Sequence, residues 1–252
     1  MRTIVLVTGP AGSGKTSLTN AYYSWLRSEL GASTATVNLD PAVEILPYNP
    51  TIDVRKFVDV KSIMKNEELG PNAALVRAMD ILADKLAEIT SYLRDLDVEF
   101  IVVDTPGQME VFLFRDTCWK LINSLQRIGR VVALFIIDAG LVRNPLDYAF
   151  LHVLSLAVQL RLGVDTVPII NKVDLYINRE PVGSLVEDYG FLERVLAESS
   201  SLYSDMLREV LRTIYSYSKS IAVPRVSATR MQGLEELHRI ILETACACGD
   251  LS

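Results

Sequence analysis

Cysteine is scarce in this chain: Cys118, Cys246 and Cys248 are the only three among 252 residues. They cannot build a disulfide framework, and they suit a reducing compartment. Long apolar runs are missing too. The longest, Val131 to Ile137, falls far short of the ~18 residues that a membrane-spanning helix requires. The first residues lack the charged, apolar and small-residue blocks of a secretory leader, so a cytoplasmic location is the expectation. Positive charge is outnumbered, with 25 Lys and Arg against 31 Asp and Glu and a net charge of −6. That balance argues against a binding mode built on neutralising a phosphate backbone, and so against DNA or RNA as the primary ligand. No linker-like stretch interrupts the chain, and a single domain over 1–252 is expected.

What is present begins with Gly9-Pro10-Ala11-Gly12-Ser13-Gly14-Lys15-Thr16. It follows the apolar run Ile4 to Val7 and precedes a helix-forming segment that starts near Ser17, the strand, loop and helix context of a phosphate loop. Gly9, Gly12 and Gly14 let peptide N–H groups approach an anion closely, and the helix start adds unpaired donors and a positive dipole end. Gly12, Ser13, Gly14, Lys15, Thr16 and Ser17 are therefore candidate phosphate-binding residues. Lys15 reaches the β and γ phosphates, and the Thr16 hydroxyl is placed to ligate Mg²⁺. The spacing does not match a dinucleotide fingerprint. A nucleoside triphosphate is the expected ligand.

Arg2 to Thr8, Thr34 to Leu39, Glu99 to Asp104, Val131 to Asp138, Thr166 to Asn171 and Ala222 to Val226 read as strands. Most are continuous apolar runs, the pattern of strands covered on both faces. Helical spacing fills the intervals. The fold class is α/β: a doubly wound, mainly parallel sheet flanked by helices, the P-loop NTPase fold. The clearest helix spans about Ala73 to Leu96, with Leu75, Met79, Leu82, Leu86, Ile89, Leu93 and Leu96 on one stripe. A coiled-coil seam fits it, but a crossover helix packed on the sheet fits better, because the run is short and leads into a strand. A helical insertion is expected over about 175–220.

Three strand-end motifs extend the chemistry. Asp104-Thr105-Pro106-Gly107 is D-x-x-G, with a carboxylate suited to Mg²⁺ or its water shell and a glycine N–H suited to the γ phosphate. Gln108 follows, where an amide can orient an attacking water; Glu110 is a second candidate. Asn171-Lys172-Val173-Asp174 is N-K-x-D. Its Asp174 can accept both the ring N–H and the exocyclic amine of guanine, a donor pair that adenine lacks. Lys172 can cover the base and Asn171 can brace the loop, while Ser227-Ala228 matches the loop whose backbone N–H meets the guanine oxygen. Asn38-Leu39-Asp40-Pro41-Ala42 places Asp40 to hold Mg²⁺ or the attacking water, or equally to cap a turn. The candidate metal residues are thus Thr16, Asp40 and Asp104, and the candidate catalytic ones include Lys15, Asp40 and Gln108. Tyr48 to Arg55 could include a switch segment, and Gly70-Pro71-Asn72 reads locally as a turn with Asn72 capping the long helix.

This order of motifs closely resembles the GPN-loop GTPases of the SIMIBI class, from Met1 to about Leu242. The resemblance implies GTP as substrate, GDP as product, Mg²⁺ as cofactor and a homodimer. The Gly-Pro-Asn segment, about 41–72, would reach from one subunit into the other's site, where Asn72 would act on the γ or departing phosphate in trans. Many SIMIBI relatives carry a further lysine early in the phosphate loop, where this chain has Pro10 and Ala11; Asn72 is then the substitute. Eukaryotic relatives are associated with RNA polymerase assembly, so a nucleotide-driven switch acting on partner proteins is a compatible expectation. A small-molecule kinase is the competing class, and it leaves N-K-x-D without a purpose. Arg55 and Arg115 are arginine-finger candidates for which ordinary ion pairing is the better reading. Cys246 and Cys248 lack further nearby ligands for a metal. His152 and His238 read as packing or surface residues.

Overall fold

The computed structural model describes residues 2–142, 145–175 and 223–247, together with Asp205, Glu209, Arg212, Thr213 and Ser216. Six strands form one all-parallel sheet: β1 (Thr3–Thr8), β2 (Thr34–Asn38), β3 (Ile52–Asp53), β4 (Phe100–Asp104), β5 (Arg130–Asp138) and β6 (Thr166–Asn171). Their spatial order is β3-β2-β4-β1-β5-β6. Every residue of β1, β4 and β6 is buried, the reason these segments read as unbroken apolar runs. Alternate side chains enter opposite cores. Ile4 and Leu6 pack with helices α3 (Pro71–Asp95) and α5 (Asp116–Gln126), whereas Val5 and Val7 pack with α1 (Lys15–Glu29) and α7 (Leu234–Ala247). Short helices α2 (Val60–Asn66) and α4 (Met109–Leu113) and the longer α6 (Pro145–Leu162) lie between these elements.

The stripe on α3 is buried against the sheet and α5, from Ala74 and Leu75 to Leu93. It is a crossover helix, and the coiled-coil alternative drops away. Its carboxyl end is capped from a distance: the Arg2 guanidinium donates to the carbonyls of Leu93 (2.9 Å), Leu96 and Val98 (3.3 Å), satisfying acceptors that the helix leaves open.

Three expectations need correction. The cap of α3 is Gly70, with Pro71 in the first turn and Asn72 inside the helix. Proline suits the first helical position, where no N–H is needed, and this moves the cap two residues back, from Asn72 to Gly70. Of the segment read as a sixth strand, Ala222 to Val226, Ala222 lies outside the described residues, and residues 223–226 make one parallel bridge, between Ile170 and Arg225. Pro224 can accept, and its carbonyl takes the Ile170 N–H at 2.9 Å, but it has no N–H with which to extend a ladder. Conversely, the two-residue strand β3, at the sheet edge beside β2, is too short to leave a periodic signal. The expected insertion over 175–220 lies outside the described residues, apart from Leu175 and the helical positions Asp205, Glu209, Arg212, Thr213 and Ser216. Among the described residues no helix is long and apolar enough to cross a membrane.

The register brings the strand ends level. Asp104 stands beside Val7 and Asn38, and Asp138 beside Asn171. The chemistry-bearing residues therefore lie along one edge.

Two stability measurements test this packing. Ile89 is wholly buried on α3, and Ile89→Ala should cost about 2–5 kcal/mol in urea unfolding. Burial pushes His152 on α6 down from 6.5 to about 4. The folded chain thus keeps it neutral where the unfolded chain takes a proton. Its contribution is intact above pH 6.5 and is lost as pH falls toward about 4. Unfolding titrations across that range should show the slope, and His152→Gln should flatten it.

Candidate nucleotide site

The loop between β1 and α1 is shaped by left-handed glycines. Gly14, the cap of α1, has φ of 95°. A Cβ there would lie 2.5 Å from Asn171 Nδ2. Gly9 has φ of 146°, and a Cβ would meet the Ile136 carbonyl at 2.9 Å. No other residue fits these two approaches. The Ser13 hydroxyl is buried inside the loop without a hydrogen-bond partner, as is Oδ1 of Asp104 at the tip of β4. Orphaned polar atoms of this kind can be satisfied by a bound ligand, ion or water.

Lys15 is only 5 % exposed. Its ammonium donates to the carbonyls of Gly9 (2.8 Å), Pro10 (3.0 Å) and Gly107 (3.0 Å). Burial pushes its pKa down, and the carboxylates of Asp104, Asp40 and Glu110 counter that shift. Asp104 is displaced the other way. Burial raises its carboxyl to about 6, against the Thr16 and Tyr48 hydroxyls that favour the charged form. Tyr48 donates to Asp104 Oδ2 at 3.0 Å. An ammonium and a carboxylate are both held where desolvation works against their charges. A polyphosphate would relieve the first and a cation the second, so the residues present fit both groups.

Asp40 closes the next corner. Its Oδ2 accepts from the Gly107 N–H at 2.9 Å and its Oδ1 from the Ala42 N–H at 2.9 Å. It therefore caps its own turn and also fastens the loop after β2 to the turn after β4. Gln108 caps α4, and its Nε2 donates to Asn72 Oδ1 at 3.3 Å, both side chains being exposed. The structure thus brings Asn72 and Gln108 together within one chain. Arg55 is paired with Asp53 at 2.6 Å and Arg115 with Asp80 at 3.7 Å, the ordinary ion pairing expected of both.

On the far side of the phosphate loop lies a cavity of about 220 Å³, lined by Gly14, Ser17, Asn171, Lys172, Asp174 and Ala228, among others. Asn171 holds its walls together, since its Nδ2 donates to the Ser13 carbonyl at 3.0 Å and its Oδ1 accepts from the Ala228 N–H at 3.3 Å. The donor expected to meet a guanine oxygen is thus given to Asn171 in this structure. Asp174 accepts from the Ser227 hydroxyl at 2.5 Å and the Thr229 hydroxyl at 3.4 Å. The Ser227 contact, first of all, holds its carboxyl below the usual range. Lys172 adopts a left-handed backbone, φ of 65°, and its ammonium bonds the Gly12 carbonyl and Asp138 Oδ2, each at 2.7 Å.

Asp138 is not singled out from sequence, and Tyr48 enters only as the start of the possible switch segment, not as a partner of Asp104. Asp138 carried a usable signal, because it ends an apolar strand just as Asp104 does. The Tyr48 contact carried none, since its partner lies 56 positions away. Cys246 is an exposed thiol on α7, and Cys248 lies outside the described residues. His238 packs as expected, with Nδ1 at 2.8 Å from the Tyr22 hydroxyl. A larger cleft, about 750 Å³, opens at the amino ends of β5 and β6 around Gln126, Arg130 and Asp165. There Arg130 and Asp165 neutralise each other at 3.0 Å, and none of the motifs reaches it.

Comparison with known proteins agrees with this geometry. Residues 7–247 match a family model described as "Conserved hypothetical ATP binding protein". The chain is 36 % identical, over 99 % of its own length and 100 % of the relative's, to GPN-loop GTPase PAB0955 of Pyrococcus abyssi. It is 32 % identical to GPN-loop GTPase QQT1 of Arabidopsis thaliana, covering 84 % of this chain and 75 % of that one. The crystal structure of PAB0955, a GTPase in apo form from Pyrococcus abyssi, superposes with a TM-score of 0.85 at 34 % identity, covering 98 % of both chains. On near full-length identity and a shared fold, the chain belongs to the family of GPN-loop GTPases.

Proposed function

We propose that this chain binds GTP with Mg²⁺ and hydrolyses it to GDP and phosphate as a homodimer, Asn72 of one subunit completing the site of the other. One observation carries the reading: the phosphate loop and the cavity bounded by Asn171, Lys172 and Asp174 are joined, through Asn171 and Lys172, into a single continuous site. The matching family model's description names ATP, but a carboxylate on the base pocket has no donor pair to accept from adenine. Guanine is the base that fits Asp174.

The roles follow from the contacts. Lys15 exchanges its carbonyl partners for phosphate oxygens, and loss of the Gly107 contact lets the turn after β4 respond to the γ phosphate. Thr16 and Asp104, with Asp40 nearby, would hold Mg²⁺, which when bound would supply neutralisation of phosphate charge. Asp40 and Gln108 orient the attacking water. The Asn72 amide, on a proline-stiffened helix start, donates to charge developing on the transferred group. Because Asp40, Gly107 and Lys15 are linked, nucleotide state is carried to the surface loops, which supports a switch that unidentified partner proteins read. We take residues 1–252 as one domain with the Gly-Pro-Asn segment at about 41–72.

Mixing two inactive variants tests the trans role. Lys15→Ala and Asn72→Ala homodimers should each turn over GTP slowly. An equilibrated equal mixture should regain about a quarter of wild-type turnover, because half the dimers then hold one intact composite site. No recovery in mixtures shown to exchange subunits would assign Asn72 to its own chain's site. The base assignment is tested by Asp174→Asn, which replaces one acceptor by donors. Xanthine carries a carbonyl where guanine carries its amine, so preference should shift from GTP to XTP by roughly 100-fold or more.

A further inference from the structure

Tyr48 is 8 % exposed and Asp104 is wholly buried. The tyrosine reaches Asp104 from the loop that follows Asp40, and its hydroxyl donates to Oδ2 at 3.0 Å. A structural role alone would be to fasten that loop. Yet the loop is fastened elsewhere. Asp40 accepts from Gly107 at 2.9 Å, and the Arg55 guanidinium donates to the carbonyls of Val43 at 3.1 Å and Glu44 at 3.2 Å. At its end, the Thr51 N–H donates to the Thr36 carbonyl at 2.9 Å. A phenylalanine would supply the same packing. The hydroxyl adds one thing, a donor that occupies Oδ2 and leaves Oδ1 as the unpartnered oxygen of the carboxylate.

We infer that Tyr48 is a positioning residue for the cation site: its hydroxyl fixes the rotation of the Asp104 carboxylate, so that Oδ1 is presented to the metal. It thereby sets the cation affinity of the nucleotide complex. The inference rests on the reading, given under Proposed function, that Asp104 serves Mg²⁺. A carboxylate already held by the Tyr48 hydroxyl, with the Thr16 hydroxyl beside it, loses less rotational freedom when the cation arrives than a free one does; loss of such partners typically weakens metal binding by 10–100-fold.

The test is a Mg²⁺ titration of the full chain loaded with a fluorescent, non-hydrolysable GTP analogue, read as the half-saturating Mg²⁺ concentration. Tyr48→Phe should raise that midpoint about tenfold. In an Asp104→Asn background the same substitution should move it less than about twofold, since the two groups act as one unit. Equal shifts in both backgrounds would mean a general loosening of the loop and would overturn the inference. A Tyr48→Phe midpoint equal to that of a Mg²⁺-responsive wild type would overturn it alone. A wild-type complex with no response to Mg²⁺ would remove the cation reading itself, and the inference with it.

Discussion

The burial of two opposite charges at the exits of neighbouring central strands governs the arrangement of everything around them. Lys15 and Asp104 sit where water is excluded, and each is compensated only in part, by carbonyl oxygens in one case and hydroxyl donors in the other. Desolvation is costly for such groups unless the environment supplies matching polarity. The sheet provides it cheaply. Six parallel strands, buried on both faces, end level with one another and release their loops on one side, where backbone dipoles and helix starts converge.

The loops are bonded to one another as well as to their own neighbours. Asp40 clasps Gly107, Lys15 also holds Gly107, and Tyr48 holds Asp104. A disturbance at the phosphate end therefore reaches the segment after β2 without a relay through the core. On the base side, the same economy appears in Asn171, whose single amide ties the phosphate loop to Ala228. Lys172 does likewise between Gly12 and Asp138.

Much of this could be read from the chain in advance, because motifs such as Gly9 to Thr16, Asp104 to Gly107 and Asn171 to Asp174 are local: spacing and residue type suffice. What escaped was decided by partners distant in sequence. Tyr48 is an unremarkable tyrosine until β4 is set beside its loop, and β3 gains its identity only from pairing with β2. Pro224 shows the opposite failure, since an apolar run around it suggested a strand that its missing N–H does not sustain. Asn72 was displaced by its neighbour: Pro71 takes the first turn, and the amide is left to meet Gln108.

The cavity beside Asn171 and Asp174 is also a seam in time. Its walls come from Gly14 and Ser17, from Asn171, Lys172 and Asp174, and from Ala228, with the Asn171 to Ser13 bond closing a span of 158 positions. During synthesis the first wall emerges long before the last, and contacts of such separation form late. A nascent chain consequently acquires a complete cavity only after Ala228 has emerged, so that any ligand captured there binds the assembled fold and stabilises it by mass action.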